Sequence, residues 1–160
     1  MGSLEIWMSC QSNQIRMITY NIISAGGSWL NMVMRTMDQM NVDLGILSEM
    51  KWDHEMYLHD CCGYMVVATT AKSSHQGGVA VFYRSHSAQW SVEGIQTHGP
   101  NMMSFSLMSG RKIWTIIRCY ISPSKETGET IEYIAALEVD TPLFCSVTSM
   151  WIWRHWQIAV

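Results

Sequence analysis

The stretch IRMITYNIISAGGSWLNMVMRTMDQMNVDLGILSEMK, residues 15–51, decides the fold class of this 160-residue chain. Its opening, Ile15 to Tyr20, alternates with the period of a β-strand, Ile15, Met17 and Thr19 sharing one face. Asn21 follows, then a glycine-bearing loop from Ser24 to Gly27. Ser28 stands where an N-cap belongs, and Leu30, Val33, Met34, Met37 and Met40 come after it at helical spacing. Asn41 closes that helix. Leu44 to Ser48 (LGILS) is then the short apolar run of a strand covered on both faces. Strand, helix, strand in this order predicts a right-handed crossover between two parallel strands. Each strand delivers a polar residue at its C-terminal edge, Asn21 on the first and Glu49 on the second.

Beyond this unit the period changes. Met50 to Gly63 is polar and mixed, and is expected to be irregular. Tyr64–Ala68, Gly78–Tyr83, Trp90–Gln96, Met102–Met108 and Lys112–Tyr120 read as strands, separated by turn-forming segments such as Ser109-Gly110 and His75-Gln76-Gly77-Gly78. Short links between consecutive strands favour antiparallel pairing. Pro123 breaks the last strand, and a helix is expected from Thr127 or Thr130 through Leu137. From Val139 neither period is clean.

Composition narrows the function classes. The chain is 48% apolar and only 14% charged, which excludes a disordered tail and calls for a core. With 3 prolines and 11 glycines it is not collagen-like or Pro-rich. A net charge of −3 supplies no global basic field to collect phosphates, so nucleic-acid binding would rest on local groups such as Arg84, Arg111, Lys112 and Arg118. The start, MGSLEIWMSC, lacks the basic and apolar regions of a secretory signal, and Ile6 stands where myristoylation favours Ser or Thr. Leu143 to Trp153 is too short an apolar stretch to cross a bilayer. An intracellular location, nuclear or cytoplasmic, without membrane attachment or secretion, is the expectation, and the 5 cysteines then read as reduced thiols.

A parallel pair ending in Asn and Glu and followed by a meander resembles the endonuclease/exonuclease/phosphatase superfamily. Four segments carry the resemblance in order: IRMITYN at 15–21, VDLGILSEMK at 42–51, GGVAVFYR at 77–84 and IIRCYISPS at 116–124. The flavour is that of the LINE-type retrotransposon endonuclease domain. The resemblance implies a four-layer α/β/β/α sandwich with mixed sheets, of which this chain would hold the N-terminal portion, the C-terminal strands being missing. It divides the chain into a truncated domain over residues 14–138, an N-terminal extension over 1–13 and an unrelated Trp-rich tail over 139–160.

The activity implied is metal-dependent hydrolysis of phosphodiesters in DNA, with Mg²⁺ or Mn²⁺ neutralising the phosphoryl oxygens. Carried over position by position, Glu49 is the anionic metal ligand. Asn21 is the neutral amide that positions phosphate or metal, and Tyr120 donates to the scissile phosphate. The family's later Asp-x-Asn and Asp-His motifs have no counterpart here: Asp140 is followed by Thr141-Pro142, and Arg154 precedes His155. Groups that act as a unit fail together, so negligible nuclease activity is expected. The alternatives are a non-catalytic module that binds nucleic acid or protein, and a fragment of low stability. Sheet surface left uncovered would favour self-association. The resemblance leaves open whether the ancestral substrate was abasic DNA, a target-site nick or a phosphoinositide.

Other constellations carry less. His54, His59, Asp60, Cys61 and Cys62 are dense in ligand types, but the spacing fits no closed zinc site, and a loop with reduced thiols is the plainer reading. Gly77-Gly78 lacks the strand-to-helix switch and Lys-Ser of a nucleotide loop. Trp114, Trp151, Trp153 and Trp156 would offer bases a stacking surface, but read better as a hydrophobic tail.

Overall fold

A computed structural model describes residues 4–10, 13–22, 29–71, 77–120, 143–147 and 150–154. The first sheet contains β1 (Leu4–Cys10), β2 (Asn13–Asn21), β3 (Leu44–Ser48), β4 (Met56–Cys61), β5 (Tyr64–Ala68) and β6 (Val79–Arg84) in the order β1-β2-β3-β6-β5-β4. The second contains β7 (Trp90–Thr97), β8 (Met102–Ser109), β9 (Lys112–Cys119), β10 (Leu143–Val147) and β11 (Met150–Arg154) in the order β11-β10-β9-β8-β7. Both are mixed. The parallel pairs are β2 with β3 and β9 with β10, and the remaining neighbours run antiparallel.

Strand alternation builds the interior. Ile15 and Met17 of β2, Leu44 and Ile46 of β3, and Val79 and Val81 of β6 face Met103, Phe105 and Leu107 of β8 and Ile116 of β9 in one core between the sheets. The opposite face of the first sheet (Leu47, Val66, Ala68, Ala80 and Phe82) packs under helix α1 (Trp29–Gln39). There Met34 and Met37 are fully buried, with Leu30, Val33 and Met40 beside them, whereas Met32 on the far side is 57% exposed. The helix stripe is therefore core, and the crossover between parallel strands is in place. α1, first sheet and second sheet give three layers of an α/β/β/α sandwich. The helix expected up to Leu137 lies outside the described residues, as do Ser28, the loop before it and Pro123.

Asn41 ends α1 as expected, in a left-handed conformation with φ 51°. The Val42 N–H donates to the Met37 carbonyl at 2.8 Å and the Asn41 N–H to that of Asp38 at 3.0 Å, a Schellman closure whose flanking residues Val42 and Met37 are both buried.

Four strands lie where the sequence is weakly periodic. The Met50–Gly63 segment, expected to be irregular, contains β4, paired antiparallel with β5 and shifted in register between Leu58 and Cys61. As an edge strand β4 has one neighbour and little apolar alternation, and Tyr57 is 57% exposed. β1 pairs antiparallel with β2 over Leu4–Cys10. β10 and β11, in the Trp-rich stretch, extend the second sheet beyond β9. Among the described residues, no helix is long and apolar enough to cross a membrane.

Candidate functional site

At one end the apolar core between the sheets gives way to polar side chains. The parallel register of β2 and β3 sets Asn21 opposite Ser48, and the Ile22 N–H closes the ladder on the Ser48 carbonyl at 2.9 Å. Glu49 is the next residue after β3. The two candidates therefore lie at the C-terminal ends of neighbouring parallel strands.

Glu49 leaves the strand with φ 58°, and Lys51 follows at φ 56°. Left-handed backbone is costly for side chains with a Cβ, about 1–3 kcal/mol, and persists only where its surroundings enforce it. The enforcement is visible on the β6 side. The Met50 N–H donates to the Gly78 carbonyl at 3.2 Å and the Lys51 N–H to that of Gly77 at 3.1 Å. A Cβ on Gly78 (φ 87°) would lie 3.3 Å from the Lys51 nitrogen. The Gly77-Gly78 pair thus serves this close backbone approach.

From the second sheet, β9 and the residue that follows it send two inward side chains to the same end. Tyr120, 6% exposed, donates its hydroxyl to Glu49 Oε1 at 2.5 Å, and its own N–H is held by the Asn101 carbonyl at 2.8 Å. Burial first, then the hydrogen bond and the charge of Glu49, push the phenol up to about 12. Tyr120 is accordingly a neutral donor at physiological pH. Arg118, two residues earlier, is 3% exposed and donates from Nη2 to Ser48 Oγ at 2.7 Å.

Two of the local basic groups that nucleic-acid binding would use are engaged inside the protein: Arg118 lies between the sheets, and Arg84 sits with Asp38 and Asp43, 3.1 and 3.9 Å away. Arg118 is in phase with inward-facing Ile116 and Tyr120, and that phase was the signal for its burial. Its partner Ser48 is likewise in phase with Leu44 and Ile46 on a strand expected to be covered on both faces, but the pairing of the two has no local signal.

The donors fit a hard divalent cation. Glu49 offers an anionic oxygen, and among the described residues Asn21 Oδ1 is buried without a hydrogen-bond partner. A buried amide oxygen in that state is an acceptor awaiting a cation, water or ligand. Asn101 Oδ1, on the loop that holds Tyr120, is in the same state and went unnoticed in the sequence. Among the described residues no three His, Cys, Asp or Glu side chains group as a metal cage. Mg²⁺ would therefore be held by few protein oxygens together with water and phosphate, its usual habit.

The other candidates lie apart. His54 is exposed and paired with Asp53 at 2.6 Å, Cys62 is an exposed free thiol, and Asp60 accepts from Ser85 at 3.2 Å. The side chain of His59, and Asp140 and His155, fall outside the described residues.

No family model matches this chain, and no curated protein matches its sequence. Among solved structures, it is similar to the endonuclease domain of TRAS1, a telomere-specific non-LTR retrotransposon, with a TM-score of 0.58 and 15% identity. The match covers 83% of this chain and 59% of the length of that one. This chain shares the fold of that domain, the endonuclease/exonuclease/phosphatase fold.

Proposed function

We propose that Asn21, Glu49 and Tyr120 form the metal- and phosphate-holding half of a DNA phosphodiesterase site, and that the 160-residue chain by itself engages Mg²⁺ and DNA but hydrolyses DNA negligibly. The observation that carries the reading is the Tyr120–Glu49 hydrogen bond at 2.5 Å, made across the two sheets beside the strand end that bears Asn21.

Each residue has a physical task. Glu49 supplies the fixed negative oxygen for Mg²⁺ or Mn²⁺. Asn21 offers a neutral oxygen that orients a bound cation or its water without adding charge against the phosphate. Tyr120, kept protonated by burial and by Glu49, steers the carboxylate and presents a donor to a phosphoryl oxygen. The metal, when bound, neutralises charge building on the phosphoryl group. Preorganised donors of this kind supply much of the rate in phosphoryl transfer, yet attack also requires a group that orients water. The sequence after Tyr120 has neither an Asp-x-Asn nor an Asp-His pair for that task. Hence binding is retained and turnover is not.

Two measurements on the full chain test this. Fluorescence anisotropy of a labelled DNA duplex should show binding that Mg²⁺ strengthens, with the Mg²⁺-dependent part lost in Glu49→Ala. Binding indifferent to both Mg²⁺ and Glu49→Ala would remove the site reading. Nicking of supercoiled plasmid should not exceed background. Mg²⁺-dependent nicking abolished by Glu49→Ala would instead make the chain a complete nuclease.

A further inference from the structure

The contact between Arg118 and Ser48 spans 70 residues and the interface between the sheets, and it lies directly behind Glu49. Ser48 is completely buried, Arg118 nearly so, and a guanidinium is costly to take out of water. An apolar residue in phase with Ile116 would continue the core at lower cost, so Arg118 needs a reason beyond packing.

The backbone one residue further on offers it. Glu49 holds a left-handed φ of 58°, a conformation that an unrestrained glutamate would leave for the extended region. Gly77 and Gly78 restrain the chain after Glu49, through Lys51 and Met50. Before Glu49, the restraints are the ladder pairings of Ser48 with Asn21 and Val79, the Ile22 N–H on the Ser48 carbonyl, and the Arg118 guanidinium on the Ser48 hydroxyl. Of these, the guanidinium bond is the one that ties β3 to the strand leading into Tyr120. Two bonds from the end of β9, Arg118 to Ser48 and Tyr120 just beyond it to Glu49, thus fasten consecutive residues where β3 ends.

We propose that Arg118 is a positioning residue for the site: its bond to Ser48 keeps Glu49 left-handed and its carboxylate on the Tyr120 hydroxyl. The inference rests on the metal-holding role of Glu49 proposed above. It also makes a prediction opposite in sign to simple electrostatics. Removing a positive charge near a cation site should tighten the cation, whereas releasing Glu49 from its aligned conformation should loosen it. Residues that orient a metal ligand are worth about ten- to a hundredfold in metal affinity.

The test is Mn²⁺ binding to the full chain, read from the electron paramagnetic resonance of free Mn²⁺. Each variant is first checked for cooperative thermal unfolding. Glu49→Gln should weaken Mn²⁺ by at least about tenfold, the loss of a direct ligand being no smaller than that of an orienting residue. Arg118→Met should weaken it by about tenfold, and Ser48→Ala in the same direction. Arg118→Lys, which keeps a donor and a charge, should recover most of the loss. Folded Arg118→Met or Ser48→Ala that binds Mn²⁺ as tightly as wild type, or tighter, overturns the proposal. If Arg118→Met does not fold, Ser48→Ala decides alone. Wild-type chain without a Mn²⁺ site, or Glu49→Gln without effect, would bring down the reading of the site itself, and this inference with it.

Discussion

The hydroxyl of Tyr120 donates to Glu49 Oε1 at 2.5 Å although the two residues are 71 positions apart and come from different sheets. The bond joins the exit of a central strand of the first sheet to the end of the inner strand β9 of the second. It sits where the interior changes from Ile46, Ile116 and Phe105 to Asn21, Ser48, Arg118 and Tyr120. A carboxylate–phenol pair at such a boundary is dry enough to be strong, and Glu49 stays partly exposed.

Its pH dependence follows from the phenol. Burial and Glu49 raise the Tyr120 pKa from 10.0 to about 12, so the folded state favours the protonated form. The stabilisation is complete below the unfolded value near 10 and fades as pH rises toward 12. Tyr120→Phe should therefore cost about 1.5 kcal/mol at neutral pH, the range of a hydrogen bond to a charged group. The difference from wild type should narrow above pH 10. Urea denaturation at pH 7 and pH 11 measures both, and the phenolate absorbance of the variant should lack one high-pH tyrosine.

The crossover was legible in the sequence because its signals are local. Alternation at Ile15 and Met17, the stripe from Leu30 to Met40, the stop at Asn41 and the apolar run Leu44–Ser48 each lie within one element. Asn21 and Glu49 could be placed because they terminate those elements. What was not legible depends on partners far along the chain. β4 and β1 are edge strands whose pairing, not their pattern, makes them strands. The phase of Arg118 is local, but its partner Ser48 lies 70 residues away across the sheet interface. The left-handed turn at Glu49 is set by Gly77 and Gly78, and glutamate carries no local preference for it.

Gly45 shows how tightly α1 sits on β3. A Cβ at this position would come within 2.6 Å of Met37 Cε and 2.9 Å of its sulfur. The end of a methionine can swing aside, so Gly45→Ala should cost only about 1 kcal/mol, and Gly45→Val, with more to displace, about 3 kcal/mol. A double-mutant cycle with Met37→Ala should recover 1 kcal/mol or more of the Gly45→Val loss, on the order expected for contacting residues. Additive losses in urea melts would mean that the helix shifts as a body.

Asp43 plays the complementary part at the far end of β3 from Glu49. Its carboxylate accepts the Arg16 N–H at 2.8 Å and lies 3.9 Å from Arg84 Nε, while its backbone bonds to Arg16 and Arg84. Asp43→Ala should cost about 1–2 kcal/mol, because the β2 amide loses its acceptor. Asp43→Asn keeps an acceptor and gives up only a partly exposed ion pair, about 0.5 kcal/mol. Equal losses for the two substitutions, measured at low and high salt, would transfer the effect to charge. Neither change should alter Mn²⁺ affinity, the site lying at the other end of the strand.

Asn21 sets stability against function most directly. Its Oδ1 is buried with no hydrogen-bond partner among the described residues, a state that costs about 1–3 kcal/mol relative to a satisfied group. A residue whose only task was structural would be improved by an apolar replacement of similar size. Asn21→Leu should therefore leave the metal-free chain as stable as wild type, or more stable by about 1 kcal/mol, in urea melts with EDTA. In saturating Mn²⁺ the order should reverse, because binding stabilises only the chain that binds. A loss of stability already present in EDTA would show that the amide serves the fold, and Glu49 would then hold the cation without it.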